Sequence, residues 1–295
     1  MSWFLETAIV GLTGGAIYAL IAMGYNVIFA TTGVLNFAHG EFFMGGMMLG
    51  AFLFVSLGLP VLVALGLTVL AAAVVAVAEE RIAVRSATKT GQGLGSLGWV
   101  LSTLGVGIII RSGFTLTMGP QLRTFPDVIP LGSFRLFGAV ISAHRVLLIV
   151  TALAVGALLY AFLERSLLGR ALGAVEQDPD AAHLRGIPVV RLGVLAFAIG
   201  GGLAAFVGFL AAPLSAAVSS VGLIFGLKGF IAAAAGGIPS IKGALIAGFG
   251  VGLLEVFGAS YLGAGYRDAI VFAALLLILF IRPSGLFGSE NVRAV

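Results

Sequence analysis

The chain has no cysteine, three histidines, and only 16 basic and 12 acidic side chains in 295 residues. Without cysteine there is no disulfide and no thiolate metal site. A soluble domain is about 25% charged, whereas this chain is 9% charged and 60% hydrophobic, with a mean hydropathy of +1.17. So little charge excludes a water-soluble globule and leaves a polytopic membrane protein. Catalytic signatures are also missing. There is no His-Glu-x-x-His pattern and no Ser–His arrangement, because His39, His144 and His183 fall in loops or at span edges. No Gly-x4-Gly-Lys-Ser/Thr loop occurs, so ATP hydrolysis by that route is excluded. The opening "MSWFLETAIVGLTGG" has no basic n-region, which predicts a retained span rather than a cleaved signal. The net charge of +4 is scattered between apolar runs, where it reads as a topology signal and not as a nucleic-acid surface.

What is present is a series of long apolar runs. A span needs about 20 apolar residues, and candidates lie at 7–29, 37–57, 60–79, 94–111, 145–163, 192–212, 222–238, 241–258 and 267–282. The seventh is short and glycine-broken, so it either spans or re-enters. The expected fold is all-α: a single transmembrane domain over 1–295, with eight or nine segments, some broken or re-entrant, and no strong internal repeat. Basic residues cluster at Arg81, Arg85 and Lys89, at Arg165, Arg170, Arg185 and Arg191, at Lys242, and at Arg282 and Arg293. Nine crossings put all four groups on one face, assigned to the cytoplasm. The N-terminus is then outside and the C-terminus inside. The 112–144 loop becomes external despite Arg123 and Arg135. It carries Pro120, Pro126 and Pro130, and its "SFRLFG" alternates like a small hairpin.

Residues 164–191, "ERSLLGRALGAVEQDPDAAHLRGIPVVR", form the most charged stretch and contain a complete short helix. Asp178 suits the N-cap, Pro179 the first helical position, and Asp180 the positive dipole end. Arg185 suits the last turn, Gly186 a left-handed closure, and Pro188 stops continuation. A helix of about seven residues is unstable alone in water, so something must hold it. Three readings stand: a capped connector, a lipid-surface segment, or a coupling helix seated in a cytoplasmic motor. In the last, Ala181, Ala182 and Leu184 supply a small face, and Arg170, Asp178, Asp180 and Arg185 a polar rim.

Two apolar stretches are broken. "TTGVLNFAHGEFFMGG" places Asn36, His39, Gly40 and Glu41 together, and "GLIFGLKGFIAAAAGGIPSIKGALIAGFG" holds Lys228 and the Gly236-Gly237 break. Paired interruptions of this kind point to a substrate path, and Gly11, Gly14 and Gly15 extend the close-packing pattern into the first run. Asn36, His39 and Glu41 read as an interfacial turn in which Asn36 caps the second helix, as a gate or path lining, or as a metal or proton-relay site. The last has too few ligands for a metal. Lys228 is either a path residue or a structural lysine that snorkels or pairs with Glu41 or Glu255. Glu255, Arg267 and Asp268 read as interface anchors.

The segments "GAIYALIAMGYNVIFATTGVLNFAHGEFFMGG", "LGRALGAVEQDPDAAHLRGIPVVRLGVLAFAIGGGLAAFVGFLAAP" and "GLIFGLKGFIAAAAGGIPSIKGALIAGFGVGLLE" together resemble the branched-chain amino acid ABC transporter permeases of the LivH type, over roughly residues 10–288. The resemblance implies an inner-membrane permease subunit that is not itself an enzyme. It implies a second, homologous permease, two cytoplasmic ATPase subunits that use ATP and Mg, and a periplasmic or lipid-anchored substrate-binding protein. It also implies that Asp178–Gly186 contacts the ATPase. This chain has Gly173 where family members often carry a basic or bulkier residue. Urea and short-amide permeases share these motifs and remain an alternative. A stand-alone carrier or channel using Glu41 and Glu255 is another, and a structural partner of a different pore subunit a third.

Overall fold

The computed structural model describes residues 2–89, 98–119, 125–127, 132–215 and 217–288. Pro120, Arg123, Pro130, Arg293 and the Lys89 side chain, used above as loop and topology markers, lie outside the described residues. The nine apolar runs form α1 (Ser2–Thr32), α2 (His39–Ala51), α3 (Val61–Glu79), α5 (Gly98–Met118), α6 (Ala143–Arg165), α9 (Val189–Ser215), α10 (Val221–Gly236), α11 (Ile241–Leu262) and α12 (Arg267–Ile281). Three short helices, α4 (Arg85–Lys89), α7 (Leu167–Gln177) and α8 (Pro179–Leu184), and a hairpin of β1 (Ser133–Leu136) and β2 (Ala139–Ser142) complete the chain. Among the described residues seven helices are long and apolar enough to cross a membrane. α1, with 31 residues, is about 46 Å long at 1.5 Å per residue. The second and seventh runs yield shorter helices, of 13 and 16 residues. The protein is an all-α, multi-pass membrane bundle.

Two boundaries differ from the sequence expectation. The third run does not end in a basic loop: it continues through a π-helical turn at Glu80–Val84 into α4. Arg81 and Arg85 therefore ride on a helical extension, and Arg85 holds Glu80 across the turn at 2.8 Å. The fourth run extends to Met118 instead of stopping at 111. Arg111 and Ser112 interrupt the hydropathy but not the helix, whose backbone hydrogen bonds are closed internally at any side chain.

Contacts divide the chain into two compact units, Met1–Asn26, Asp127–Tyr160 and Lys228–Val295 in one, Val27–Pro126 and Ala161–Leu227 in the other. In the first unit α1 lies against α11 through small residues. A Cβ on Gly15 would stand 2.7 Å from the Phe249 Cα, and one on Gly248 would stand 2.5 Å from Ala19 backbone. Gly14 meets only the Tyr18 ring of its own helix. In lipid there is no hydrophobic drive between helices, so such close contact supplies the attraction by dispersion. The hairpin anticipated from "SFRLFG" is present, with Leu136 opposite Ala139 and positive φ at both turn residues, Phe137 and Gly138. That is the turn geometry whose twist suits a two-residue hairpin. The Val140 N–H donates to Glu6 at 3.0 Å, and Trp3 meets Tyr261 edge-on. The N-terminus of α1, the hairpin and the C-terminus of α11 thus share one end of this unit.

In the second unit α2 is the central element. Phe43, Met44, Met47 and Met48 are fully buried. Gly46 abuts Ala205 of α9, and Gly208 of α9 abuts the Phe43 carbonyl. α3 and α5 form the outside, where Leu62, Leu70, Leu101, Ile109 and Leu116 are exposed. On a chain of this class those faces meet hydrocarbon or a neighbouring subunit.

Candidate functional sites

The 178–186 helix is built as its sequence dictates. The Asp178 carboxylate accepts from the N–H groups of Asp180 and Ala181, each at 3.0 Å, and Pro179 opens α8. Arg185 is the C-cap. Gly186, at φ +83°, lets the Ile187 N–H reach back to the Ala182 carbonyl at 3.0 Å. The N-cap alone is worth about 1 kcal/mol. The helix is held from one side: Ala182 is buried with Leu172 and Val175 of α7 and Leu192 of α9, with Phe162, Leu163 and Ile187 packed around them. This corrects one expectation, because Ala182 belongs to the inward seat and not to an outward face with Ala181 and Leu184. Ala181, Asp180 and Arg185 are exposed, and Leu184 is 87% exposed. A tertiary seat therefore supplies the stability that six residues lack.

Ser166 caps α7 by accepting from the Gly169 N–H at 2.8 Å. Gly173 sits inside α7 with open space where a Cβ would be, so nothing in the packing requires glycine. Gly173→Ala is expected to raise thermal stability in detergent by about 0.5–1 kcal/mol, the helix-interior cost of glycine. A midpoint at or below that of the parent would overturn this.

The Asn36–Glu41 turn is buried. Asn36 is 1%, His39 0% and Glu41 4% exposed. Asn36 does not cap α2, whose N-cap is Ala38 with no side-chain bond. Its Oδ1 instead accepts from the Ala38 N–H at 2.8 Å, closing a local turn, and its Nδ2 donates to Glu79 at 2.8 Å. Glu79 was missed from sequence, although two adjacent carboxylates closing an apolar run are themselves costly in lipid and ask for partners. His39 is the first residue of α2. Gly40 meets α10, where a Cβ would stand 2.7 Å from the Gly226 Cα and collide with the Gly222 carbonyl. Glu41 lies in the first turn of α2 beside Gly222 of α10 and Gly107 of α5.

In the other unit Lys228 is a network member. Its Nζ is 2.8 Å from Glu255 and 2.9 Å from Asp268. Glu255 also takes Arg267 at 2.7 Å and the Tyr18 hydroxyl at 2.6 Å. Of the two carboxylates proposed for Lys228, it takes Glu255. Glu255 is not an interface anchor: it is 2% exposed and joins four elements. Tyr18 was missed because its partner is 237 positions away. Gly236 and Gly237 form a clamped turn. The Leu286 and Phe287 N–H groups donate to the Ala235 and Gly236 carbonyls at 2.9 and 3.0 Å, and Asn26 donates to the Ser240 carbonyl at 2.8 Å. Gly237 has φ +93° and backbone of Ser284 and Gly288 where a side chain would be, so only glycine fits. Among the described residues no three His, Asp or Glu side chains are grouped for a metal ion.

Apolar spans, buried polar turns and a short capped helix seated on α7 and α9 define a multi-pass membrane protein. The family model described as the permease component of branched-chain amino acid transport systems matches residues 7–280, and the chain belongs to that family. It is 33% identical to the high-affinity branched-chain amino acid transport system permease protein BraD of Pseudomonas aeruginosa, covering 99% of this chain and 98% of BraD. It is 34% identical to LivH of Salmonella typhimurium, covering 99% and 98%. A solved structure, PsaBC from Streptococcus pneumoniae in complex with Fab, covers 94% of this chain and 92% of its own at 15% identity and a TM-score of 0.49.

Proposed function

We propose that this chain is the membrane-spanning permease subunit of an ATP-driven, binding-protein-dependent importer for branched-chain or other hydrophobic amino acids in a bacterial inner membrane. It pairs with a second permease, receives substrate from a periplasmic or lipid-anchored binding protein, and is driven by two ATPase subunits that bind ATP and Mg. Its N-terminus is outside and its C-terminus cytoplasmic. The observation that carries the reading is α8. A six-residue helix capped at both ends, seated on α7 and α9 by Ala182, presents Leu184 outward at 87% exposure. Such a helix is rigid, and it is mounted on the foot of α9, a 27-residue helix. A motor that closes on Leu184, Ala181 and the Asp178–Arg185 rim pushes a span directly, and ATP binding biases a two-state switch. ATP binds the partners, since this chain carries no phosphate loop.

The test is co-purification. Tagged protein, expressed with the genes beside its own and extracted in mild detergent, is expected to bring down an ATPase. Leu184→Asp, which alters only an exposed side chain, is expected to lose the ATPase and at least 90% of uptake while the protein still inserts. Asp178→Lys, which removes the cap, should act the same way. Normal uptake by Leu184→Asp would end the coupling role.

A further inference from the structure

The β1–β2 hairpin of the first unit carries more apolar surface than it hides. Its register sets Phe134 opposite Ile141 and Leu136 opposite Ala139. Opposite residues share a face, and neighbours along a strand alternate, so these four side chains form one face. On β2 that face is covered, because Ala139 and Ile141 are buried. On β1 it is left open, with Phe134 45% and Leu136 43% exposed. Phe137, at the tip, is 82% exposed and sits at φ +49°, where bulky residues are rare. Asn or Gly would suit that turn better. A phenylalanine there meets backbone strain and water together, and strain of this kind gathers where a side chain has a task. The opposite face carries Arg135, which is exposed and forms no ion pair among the described residues.

The depth of the hairpin follows from its neighbours. The Val140 N–H donates to Glu6 at 3.0 Å, and a Cβ on Gly138 would stand 3.8 Å from the Ser2 Cβ. Strand and tip therefore lie beside residues 2–6 of α1, immediately ahead of the first apolar run. β2 leads straight into α6 at Ala143, two residues before the fifth apolar run. On the same end Trp3 meets Tyr261 and Phe4 meets Phe257, and Trp3, Tyr261 and Tyr266 are exposed. Exposed Trp and Tyr gather at the headgroup level of a bilayer. Three chain segments thus set the hairpin at one membrane–water interface.

We propose that the hairpin is a lipid anchor: Phe134, Leu136 and Phe137 enter the phospholipid interface, and Arg135 meets lipid phosphate from the opposite face. Apolar side chains gain by leaving water for the headgroup–acyl boundary, and guanidinium–phosphate hydrogen bonds are charge-assisted. A phospholipid layer satisfies both faces, whereas water satisfies only Arg135. The Ala143 N–H donates to the Gly132 carbonyl at 3.0 Å, so the anchor is tied to the first residue of α6 and sets the depth of that span. The proposal needs a membrane-spanning chain and is independent of the substrate.

The experiment uses the absence of cysteine, which makes any introduced thiol unique in the chain. Phe134→Cys, Phe137→Cys and Arg135→Cys are each labelled with a nitroxide in the full-length chain. Each is purified with its co-purifying subunits, made cysteine-free, and reconstituted in phosphatidylcholine–phosphatidylglycerol vesicles. Power-saturation EPR compares collision with oxygen, which concentrates in lipid, and with a nickel chelate that stays in water. Phosphatidylcholines labelled on the headgroup or high on the acyl chain calibrate depth. Labels at 134 and 137 are expected between those two calibrants. Their nickel collision should be at least about fivefold below that at 135, the contrast between a side chain set about 5–10 Å into the boundary and one facing water. Arg135→Glu, which repels phosphate, should shift the labels at 134 and 137 toward water. All three labelled positions are exposed, so the labels leave the packing intact. Equal nickel collision at 134, 135 and 137 would place the hairpin in water and overturn the proposal. Labels at 134 and 137 reached by neither reagent would mean that a protein partner covers this face, and that result would overturn it too.

Discussion

Glu255→Leu is expected to destabilise the protein by about 3–5 kcal/mol, the cost of stripping one partner from a buried ion pair. Lys228 and Glu255 have side-chain exposures of 11% and 3%, while Arg267 and Asp268, the outer members, stand at 49% and 65%. Removing Glu255 takes the one carboxylate that meets Lys228, Arg267 and Tyr18 together. Arg267 can turn to water, but Lys228 keeps only Asp268 in a poorly hydrated place. Lys228→Met should cost less, because Glu255 then retains Arg267 and Tyr18. Asp268→Ala should cost least, since its pair is exposed and screened. The double variant Lys228→Met/Glu255→Leu removes both buried charges and should recover much of the loss, as matched replacement of buried pairs does. Thermal unfolding in detergent reads the ranking. Equal midpoints for parent and Glu255→Leu would show that the network does not hold α10, α11 and α12 together.

Gly40→Leu is expected to abolish transport and sharply lower the yield of folded protein. The first added carbon already meets α10 backbone at Gly222 and Gly226, and backbone cannot rotate away as a side chain can. Overpacking of this kind costs about 1–3 kcal/mol or more, and leucine adds three further carbons. Gly40→Ala should show a smaller loss in the same direction. Gly66→Leu is the control: it lies on α3 with nothing within 4 Å of its Cβ, and it should behave as the parent. Uptake at parental level in Gly40→Leu would mean that α2 and α10 do not need to approach closely.

Much of the architecture was legible in the chain because the bilayer asks a local question. A run of about 20 apolar residues either exists or does not, and the nine runs became nine helices. The α8 caps were legible for the same reason: Asp178, Pro179 and Gly186 act on backbone within four residues. Boundaries failed where hydropathy and helix geometry part, as at Arg81, Arg85 and Arg111, since a polar side chain ends an apolar window without ending a helix. Roles failed where partners are distant. Asn36, for which capping of the second helix was one of three readings, instead bridges to Glu79. Ala182 was assigned outward and is turned inward by Leu172, Val175 and Leu192.

The sequence by itself therefore determined the solvent, the spans and the short capped helix, which follow from composition and from interactions a few residues long, while the family came from its likeness to known permeases. Only the tertiary structure decided which glycines touch which helix, where Glu255 and Glu79 find their partners, and that the Glu41 carboxylate lies against Gly222 of α10. The spans are apolar on every side, so nothing in their pattern marks the face that packs. That choice is made by shape and by the need of each buried polar group for a partner, and both are settled between residues far apart in the chain.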